Sequence, residues 1–433
     1  MRFRSASLSV LTGLLAALVA ARATAQFDQY RPPGGLVEPP ADRKGTLDKA
    51  TSEARWHLGP VRLSPWWELR DIQYVDNAVG GPGPKSGDLT GTAGAGLRAY
   101  FRTGPKIYWA VHALPEYVWW REAADRRRVD GRYGIGVFGF WNRLTVEATG
   151  QRTQAQSFVS PEVTTLSHAR NDRATLSFDL RLSGRFALFA SGEDLAVRNL
   201  VSAKAGEAPL DRLDRLDRDE SVVRGGLRYR LGRGFTVGAG VERDDIDFIA
   251  APLPLDRSNR GTSPFVLVRQ QNEDRFFEIE VASRSSDPKA GSSFVPFDAT
   301  TANLSAGFNQ TGRIAVFAYG GRGIVYTLDA GYSYLQDDRI GGALLWKVGI
   351  RTRARAYFEF GRNDYRAARP GTPRRSDDTL SYGASADFST GRHGSFGLHF
   401  GRTDFRSNLP GFDRSITAIG AGYSFRSGST GWY

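Results

Sequence analysis

Apolar and polar residues alternate one by one along most of the chain from residue 61 onward. In 174–182, Leu176, Phe178, Leu180 and Leu182 share one face, while Thr175, Ser177, Asp179 and Arg181 share the other. Period-two alternation marks a strand whose two faces meet unlike surroundings. Ala354, Ala356, Phe358 and Phe360 oppose Arg353, Arg355, Tyr357 and Glu359 in the same way. Phe235, Val237, Ala239 and Val241 likewise oppose Thr236, Gly238, Gly240 and Glu242. Helical spacing fits none of these segments.

Read with the breaker cluster after each run, the pattern predicts eighteen strands, near 61–76, 88–103, 106–121, 131–141, 143–158, 172–183, 185–199, 219–231, 234–248, 260–271, 275–286, 302–320, 323–336, 341–350, 353–366, 377–389, 394–406 and 414–426. Tight links such as Thr103-Gly104-Pro105-Lys106, Trp141-Asn142-Arg143, Gly320-Gly321-Arg322-Gly323 and Ile350-Arg351-Thr352-Arg353 alternate with long ones at 77–87, 159–171, 200–218, 249–259, 287–301 and 367–376. Short turns on one side, long loops on the other and an even strand number are the signature of an all-β, transmembrane antiparallel up-and-down β-barrel of about 18 strands (16–18). Lipid cannot satisfy an open strand edge, so a spanning sheet must close on itself. Phe360-Gly361-Arg362-Asn363-Asp364-Tyr365-Arg366 recurs as Phe400-Gly401-Arg402-Thr403-Asp404-Phe405-Arg406. The two copies are separated by two strands and two connections, so both end strands run outward.

The beginning of the chain gives an address. Arg2 and Arg4 precede an apolar stretch from Leu8 to Ala20 and the small-residue site Ala23-Thr24-Ala25, the layout of a signal peptide over 1–25 cleaved near Ala25. The expected localisation is the outer membrane of a Gram-negative-type bacterium. Pro32, Pro33, Pro39 and Pro40 sit among Gly and charged residues, which predicts a flexible periplasmic tail over 26–54 rather than a plug. The barrel is expected over 55–433. The absence of Cys from the 433 residues removes disulfides, thiolate metal sites and cysteine nucleophiles. Lys and Arg outnumber Asp and Glu by 58 to 46, but an exported chain has no nucleic-acid partner to expect.

Gly59-Pro60-Val61-Arg62-Leu63-Ser64-Pro65, followed by Tyr74-Val75-Asp76-Asn77, resembles the opening of a bacterial outer-membrane β-barrel porin family, in which a Pro-containing first strand ends in a Tyr-Asp-Asn-like element. Here Val75 interrupts the acidic pair. The resemblance implies a pore-forming outer-membrane protein of undefined substrate and transfers no catalytic residue.

Candidate chemistry is sparse. His57, His112, His168, His393 and His399 lack metal-ligand spacing, and only His399 falls on an expected inward face with partners. No Gly-x-Ser-x-Gly elbow is present. No catalytic residue, metal or cofactor is expected, and the chain reads as a non-enzyme. Trp66, Trp67, Tyr74, Tyr108, Trp109, Tyr117, Trp119, Trp120, Tyr133, Phe140 and Trp141 crowd the first four strands, as interfacial girdles do. Pairs such as Trp119-Trp120 must send one ring inside, either to pack in the wall or to stack on a passing sugar. Expected lumen-lining residues are Asp179, Arg181, Arg224, Arg228, Arg230, Glu278, Glu280, Arg353, Arg355 and Glu359. The expected function is a porin-like channel for passive diffusion of small solutes with a mild anion preference. An outer-membrane component of polysaccharide or glycolipid export and a closed structural barrel are the alternatives. Expected partners are outer-membrane lipid and lipopolysaccharide, small solutes in the lumen, and a periplasmic partner at the N-terminal tail.

Overall fold

Backbone amides and carbonyls that face lipid have no water to bond, so each spanning strand needs a neighbour on both sides. The computed structural model describes residues 42–77, 87–157, 161–162, 167–200, 210–232, 234–249, 256–272, 274–309, 312–391 and 393–426. A three-residue arm, β1 (Trp56–Leu58), folds back on β2 (Val61–Val75). Then come β3 (Asp88–Thr103), β4 (Ile107–Trp120), β5 (Arg128–Phe140), β6 (Leu144–Ser157), β7 (Ser167–Arg181), β8 (Phe186–Asn199), β9 (Arg218–Gly232) and β10 (Phe235–Phe248). The second half holds β11 (Asn259–Gln271), β12 (Arg275–Pro288), β13 (Phe297–Asn309), β14 (Ile314–Tyr326), β15 (Tyr332–Lys347), β16 (Thr352–Ala367), β17 (Ser376–Ser389), β18 (Gly394–Ser407) and β19 (Arg414–Arg426). From β2 onward each strand pairs antiparallel with the next, and β19 pairs with β2. The eighteen long strands therefore close into a barrel without an edge.

Connections after β3 and every second strand thereafter have two to four residues, whereas those after β2, β4 and the other even-numbered strands up to β18 have five to eighteen. Register carries the alternation around the ring. Val146, Phe178 and Ala190 stand opposite one another on β6, β7 and β8, and Phe358 faces Tyr382 on β17. Leu176, Phe178, Leu180, Phe358 and Phe360 are exposed on the outer side, and the charged residues of opposite parity point inward. Outside is apolar and inside is charged, the division expected of a barrel that spans lipid.

Two expectations are corrected. Between residues 297 and 347 the strand count holds but the boundaries move, because Gly320-Gly321-Arg322-Gly323 lies inside β14 rather than at a turn. The four residues pair in register with Ile340, Arg339, Asp338 and Asp337 of β15. The tight link after β15 is 348–351. A Cβ on Gly341 of β15 would sit 2.5 Å from the Tyr319 ring, so glycine here makes room for an aromatic laid flat on the wall, a use that composition alone does not separate from a turn.

The second correction concerns the tail. Residues 43–52 form a helix, α1 (Arg43–Ser52), whose N-cap Asp42 accepts from the Gly45 amide. Leu47 and Ala50 are buried against Tyr100, Tyr108, Ala110 and Phe138, all on the inner face of β3, β4 and β5. The helix therefore lies inside the barrel at the end with short turns. The expected signal peptide 1–25 and the first part of the tail lie outside the described residues.

Candidate functional site

A solute crossing the barrel would meet three charged walls. On β2 to β5, Arg70 Nη2 donates to Glu116 Oε2 at 2.5 Å and Arg70 Nε lies 2.9 Å from Glu68 Oε1. Arg132 Nη2 lies 2.6 Å from Glu116 Oε1 and 3.0 Å from Glu68 Oε1. Two acids and two arginines thus form a closed ring of ion pairs, and Arg70 Nη1 donates outside it to Asp71. Arg70 reaches it from an irregularity in β2, where the register to β3 shifts between Arg70 and Gln73 and Asp71 adopts φ 53°. Trp66 lies beneath Arg132, 5.4 Å from ring centre to guanidinium.

The second wall spans β7 to β12. Arg224 pairs with Glu280, Arg228 with Asp179 and Arg269 with Glu278. Arg224 and Glu280 belong to strands three apart, so their contact can form only across the concave inner side. Arg224 stacks 3.9 Å above Phe265, and Arg228 stacks 4.7 Å above Phe189. A Cβ on Gly240 would come within 2.7 Å of Phe265, so glycine lets the ring lie on the backbone and the guanidinium lie on the ring. On the third wall the Tyr319 hydroxyl donates to Glu359 at 2.8 Å, Arg339 Nη1 lies 4.0 Å from the same carboxylate, and Arg355 packs over Tyr357.

By strand register the ten expected lumen residues share the parity opposite the exposed apolar side chains, and they divide by environment. Asp179, Arg224, Arg228, Glu278, Glu280 and Glu359 are tied into pairs, and Arg355 is packed on an aromatic. Arg181, Arg230 and Arg353 stand exposed near the short turns, with no ion pair among the described residues. Of the inward aromatics, Trp66, Tyr108 and Trp120 are fully covered, with Arg126 over the Trp120 ring and α1 against Tyr108. They pack the wall and offer no open face to a sugar. Among the described residues, no group of three His, Asp or Glu side chains could hold a metal. His399 faces inward and bonds Gln73, but it is not alone. His112 is also inward and buried, and His168 is buried between Asp130 and the Arg126 carbonyl.

Both ends of the pathway are furnished. At the short-turn end α1 is fastened by Asp48 to Arg102 and to the Tyr108 hydroxyl, and Arg43 Nε lies 3.5 Å from Glu147. At the other end Pro161 and Glu162, between β6 and β7, meet distant hairpins. Glu162 accepts from Thr327 Oγ1 at 2.7 Å and from the Leu328 amide at 2.5 Å, and lies 3.7 Å from Arg375. Burial pushes the Glu162 carboxyl up, above the ordinary range, against those donors. Arg414 donates to the Pro161 carbonyl, and Arg257 donates to the carbonyls of Asp329 and Tyr332. Leu213, Leu216, Ile246, Phe294 and Tyr326 gather beside them in an apolar knot. None of these contacts had a signal in the sequence, since Glu162 and Thr327 are 165 residues apart.

No family model matches this sequence, and no curated protein matches it. Among solved structures, the chain is similar to OccK3 (OpdO) of Pseudomonas aeruginosa, with 12% identity, a TM-score of 0.49 and coverage of 89% of this chain and 99% of that one. It is also similar to OccAB2 of Acinetobacter baumannii (12% identity, TM-score 0.49, 84% and 97% covered). A third is a BenF-like porin from Pseudomonas fluorescens Pf-5 (8% identity, TM-score 0.49, 85% and 99% covered).

Proposed function

We propose that this chain is an outer-membrane, porin-like channel through which small solutes diffuse, with a mild preference for anions. The observation that carries the reading is the closed eighteen-strand wall with an apolar outside and a charged inside, since a barrel of this strand number is wide enough to hold water. The preference rests on imbalance rather than on total charge. Most inner arginines are matched by a carboxylate, so their fields cancel beyond about 8 Å at physiological salt. Arg181, Arg230 and Arg353 at the short-turn end form no ion pair among the described residues; Asp387 opposite Arg353 offsets one of them, and the remaining excess sets the sign. Reversal potential in a salt gradient across a planar bilayer tests this. The native channel is expected to favour anions, and neutralising Arg181, Arg230 and Arg353 together to Gln is expected to abolish the preference. Cation selectivity in the native channel, or no change in the variant, would refute it.

A second reading draws on α1 and on the loops that meet at Glu162. Both narrow the path, which favours a barrel that opens fully only when a periplasmic partner withdraws the helix, as a component of polysaccharide or glycolipid export would. Bilayer conductance of the purified protein separates the two, because only the first conducts unaided.

A further inference from the structure

Directly above the apolar belt, on the side of the long loops, the outward positions of β6 to β18 turn charged. Arginine stands on β6, β10, β14, β16 and β18 as Arg152, Arg243, Arg322, Arg362 and Arg402, and aspartate on β7, β15 and β17 as Asp172, Asp338 and Asp378. Across five strands the register forms one unbroken row, Arg322, Asp338, Arg362, Asp378 and Arg406. The repeated Gly-Arg-x-Asp motif of β16 and β18 is part of this band.

The way the guanidinium groups are held is repeated. Arg152 gives its Nε and Nη2 edge to Asp172 at 2.5 and 3.0 Å, and Arg322 gives the same edge to Asp338 at 2.5 and 2.7 Å. Arg402 does so to Asp404 at 3.1 and 2.9 Å. In each, Nη1 donates no hydrogen bond among the described residues. Arg152 and Arg362 keep 56% and 54% of their side chains exposed. Beneath Arg152 and Asp172, a groove of about 920 Å³ crosses β4 to β9, lined by Val111, Ile135, Gly150 and Ala174 and, at its β8–β9 end, by Asp194 and Asp219. Small side chains at Gly150 and Ala174 hollow it out. Over β2 to β5 the band is missing, and the corresponding outward residues are Tyr74, Leu89, Tyr117 and Val129.

We propose that these Arg–Asp rows seat the phosphate of a phosphorylated lipid of the outer leaflet, with the groove below Arg152 taking the apolar beginning of its chains. Each aspartate fixes the plane of its arginine, and the free Nη1 edge presents two donors to a tetrahedral anion, the fork geometry that phosphate recognition uses. Arginines on alternate strands stand about 10 Å apart, so the row sets the free edge of Arg322 beside Arg362, held through Nε alone to Asp364, and beside Arg406. The height of the band, at the rim of the apolar belt, is where lipid headgroups lie. The assignment rests on the outer-membrane reading above.

The test uses the full chain in nanodiscs of phosphatidylcholine doped with phosphatidic acid, measuring the phosphatidic acid that stays bound after detergent washing. Folding is monitored by heat-modifiable gel mobility, and conductance is measured in parallel, so failure of the barrel reading registers separately. Substituting Arg152, Arg322, Arg362 and Arg406 by Gln is expected to lower retained lipid by about tenfold or more, the equivalent of losing one charged hydrogen bond. The Arg-to-Lys set, which keeps charge and folds under the same constraints, is expected to lose most of the retention as well, because the fork is gone. Ala174→Trp, which fills the groove, is expected to reduce retention without touching charge. Undiminished retention in the Gln and Lys sets overturns the proposal. Full displacement by inorganic phosphate overturns the lipid as the ligand and assigns the rows to a soluble phosphate.

Discussion

Leu47→Asp should release α1 from the wall. Leu47 is fully buried and Ala50 nearly so, and burying a leucine stabilises by roughly 1.5–3 kcal/mol. The other fasteners are the contacts of Asp48 with Arg102 and Tyr108 and the approach of Arg43 to Glu147. The charged side chains in them are about a quarter to two-fifths exposed, and such pairs contribute about 0–1 kcal/mol. The leucine therefore carries most of the docking, and a carboxylate facing Phe138 and Tyr100 adds a desolvation cost in place of it. The consequence for flow follows from area. Eighteen strands about 4.8 Å apart and tilted about 40° enclose a ring roughly 36 Å across, and side chains about 5 Å deep on each wall leave at most about 25 Å. A helix about 10 Å thick then occupies at least about a sixth of the opening. Two measurements follow: trypsin cleavage after Lys44 and Lys49, expected to accelerate in the variant, and single-channel conductance, expected to rise by roughly 15% or more. Unchanged proteolysis would show that the leucine does not hold the helix. Faster proteolysis with unchanged conductance would show that the helix does not lie in the conducting path.

Phe358→Arg, on the outer face of β16, should cost roughly 2–4 kcal/mol in a urea titration of folding into vesicles, whereas Arg355→Ala on the inner face should cost about 1 kcal/mol or less; equal costs would mean that inside and outside are exchanged. At the mouth, a buried carboxyl whose proton affinity is raised by burial favours its neutral form in the folded state, so docking of Glu162 against Leu328 should be strengthened as pH falls through its folded value toward the ordinary carboxylate range and weakened as pH rises back through the folded value. Hydrogen exchange of the Leu328 amide reads this directly, and Glu162→Gln, which removes the charge and keeps the acceptor, should flatten the dependence; an unaltered profile would assign the effect to another group.

Most of the wall was legible because lipid imposes a single rule on every strand: an apolar residue at each outward position within the apolar belt. Leu176, Phe178 and Leu180 obey it, and so do Phe358 and Phe360. Where the strand is thinned by glycine the rule loses its marks, and Gly320 to Gly323 reads as a turn although it is the middle of β14. The helix α1 escaped for a related reason. It needs only Leu47 and Ala50 to dock, and its remaining faces meet water in the lumen, so RKGTLDKATS looks like any polar tail. Parity also placed the lumen residues, from Asp179 to Glu359, but not their partners. That Arg224 meets Glu280, or that Glu162 spans the mouth, depends on curvature and on loop paths that no local pattern encodes.

The join between β2 and β19 carries a consequence for how the molecule is made. The Thr417 amide donates to Asp76 across 341 residues of chain, so the barrel cannot shut until its last strand arrives, and long-range pairing of this kind is slow to form. The seam is also irregular on both sides, with shifts between Arg70 and Gln73 and between Ala421 and Tyr423. Arg70, beside that irregularity, is gripped from within by Glu116 of β4 and approached by Glu68 of its own strand. The same charges that line the passage therefore steady the first strand while it waits for the last, and a substitution chosen to alter permeation there would also be felt during assembly, as a slower closing of the ring.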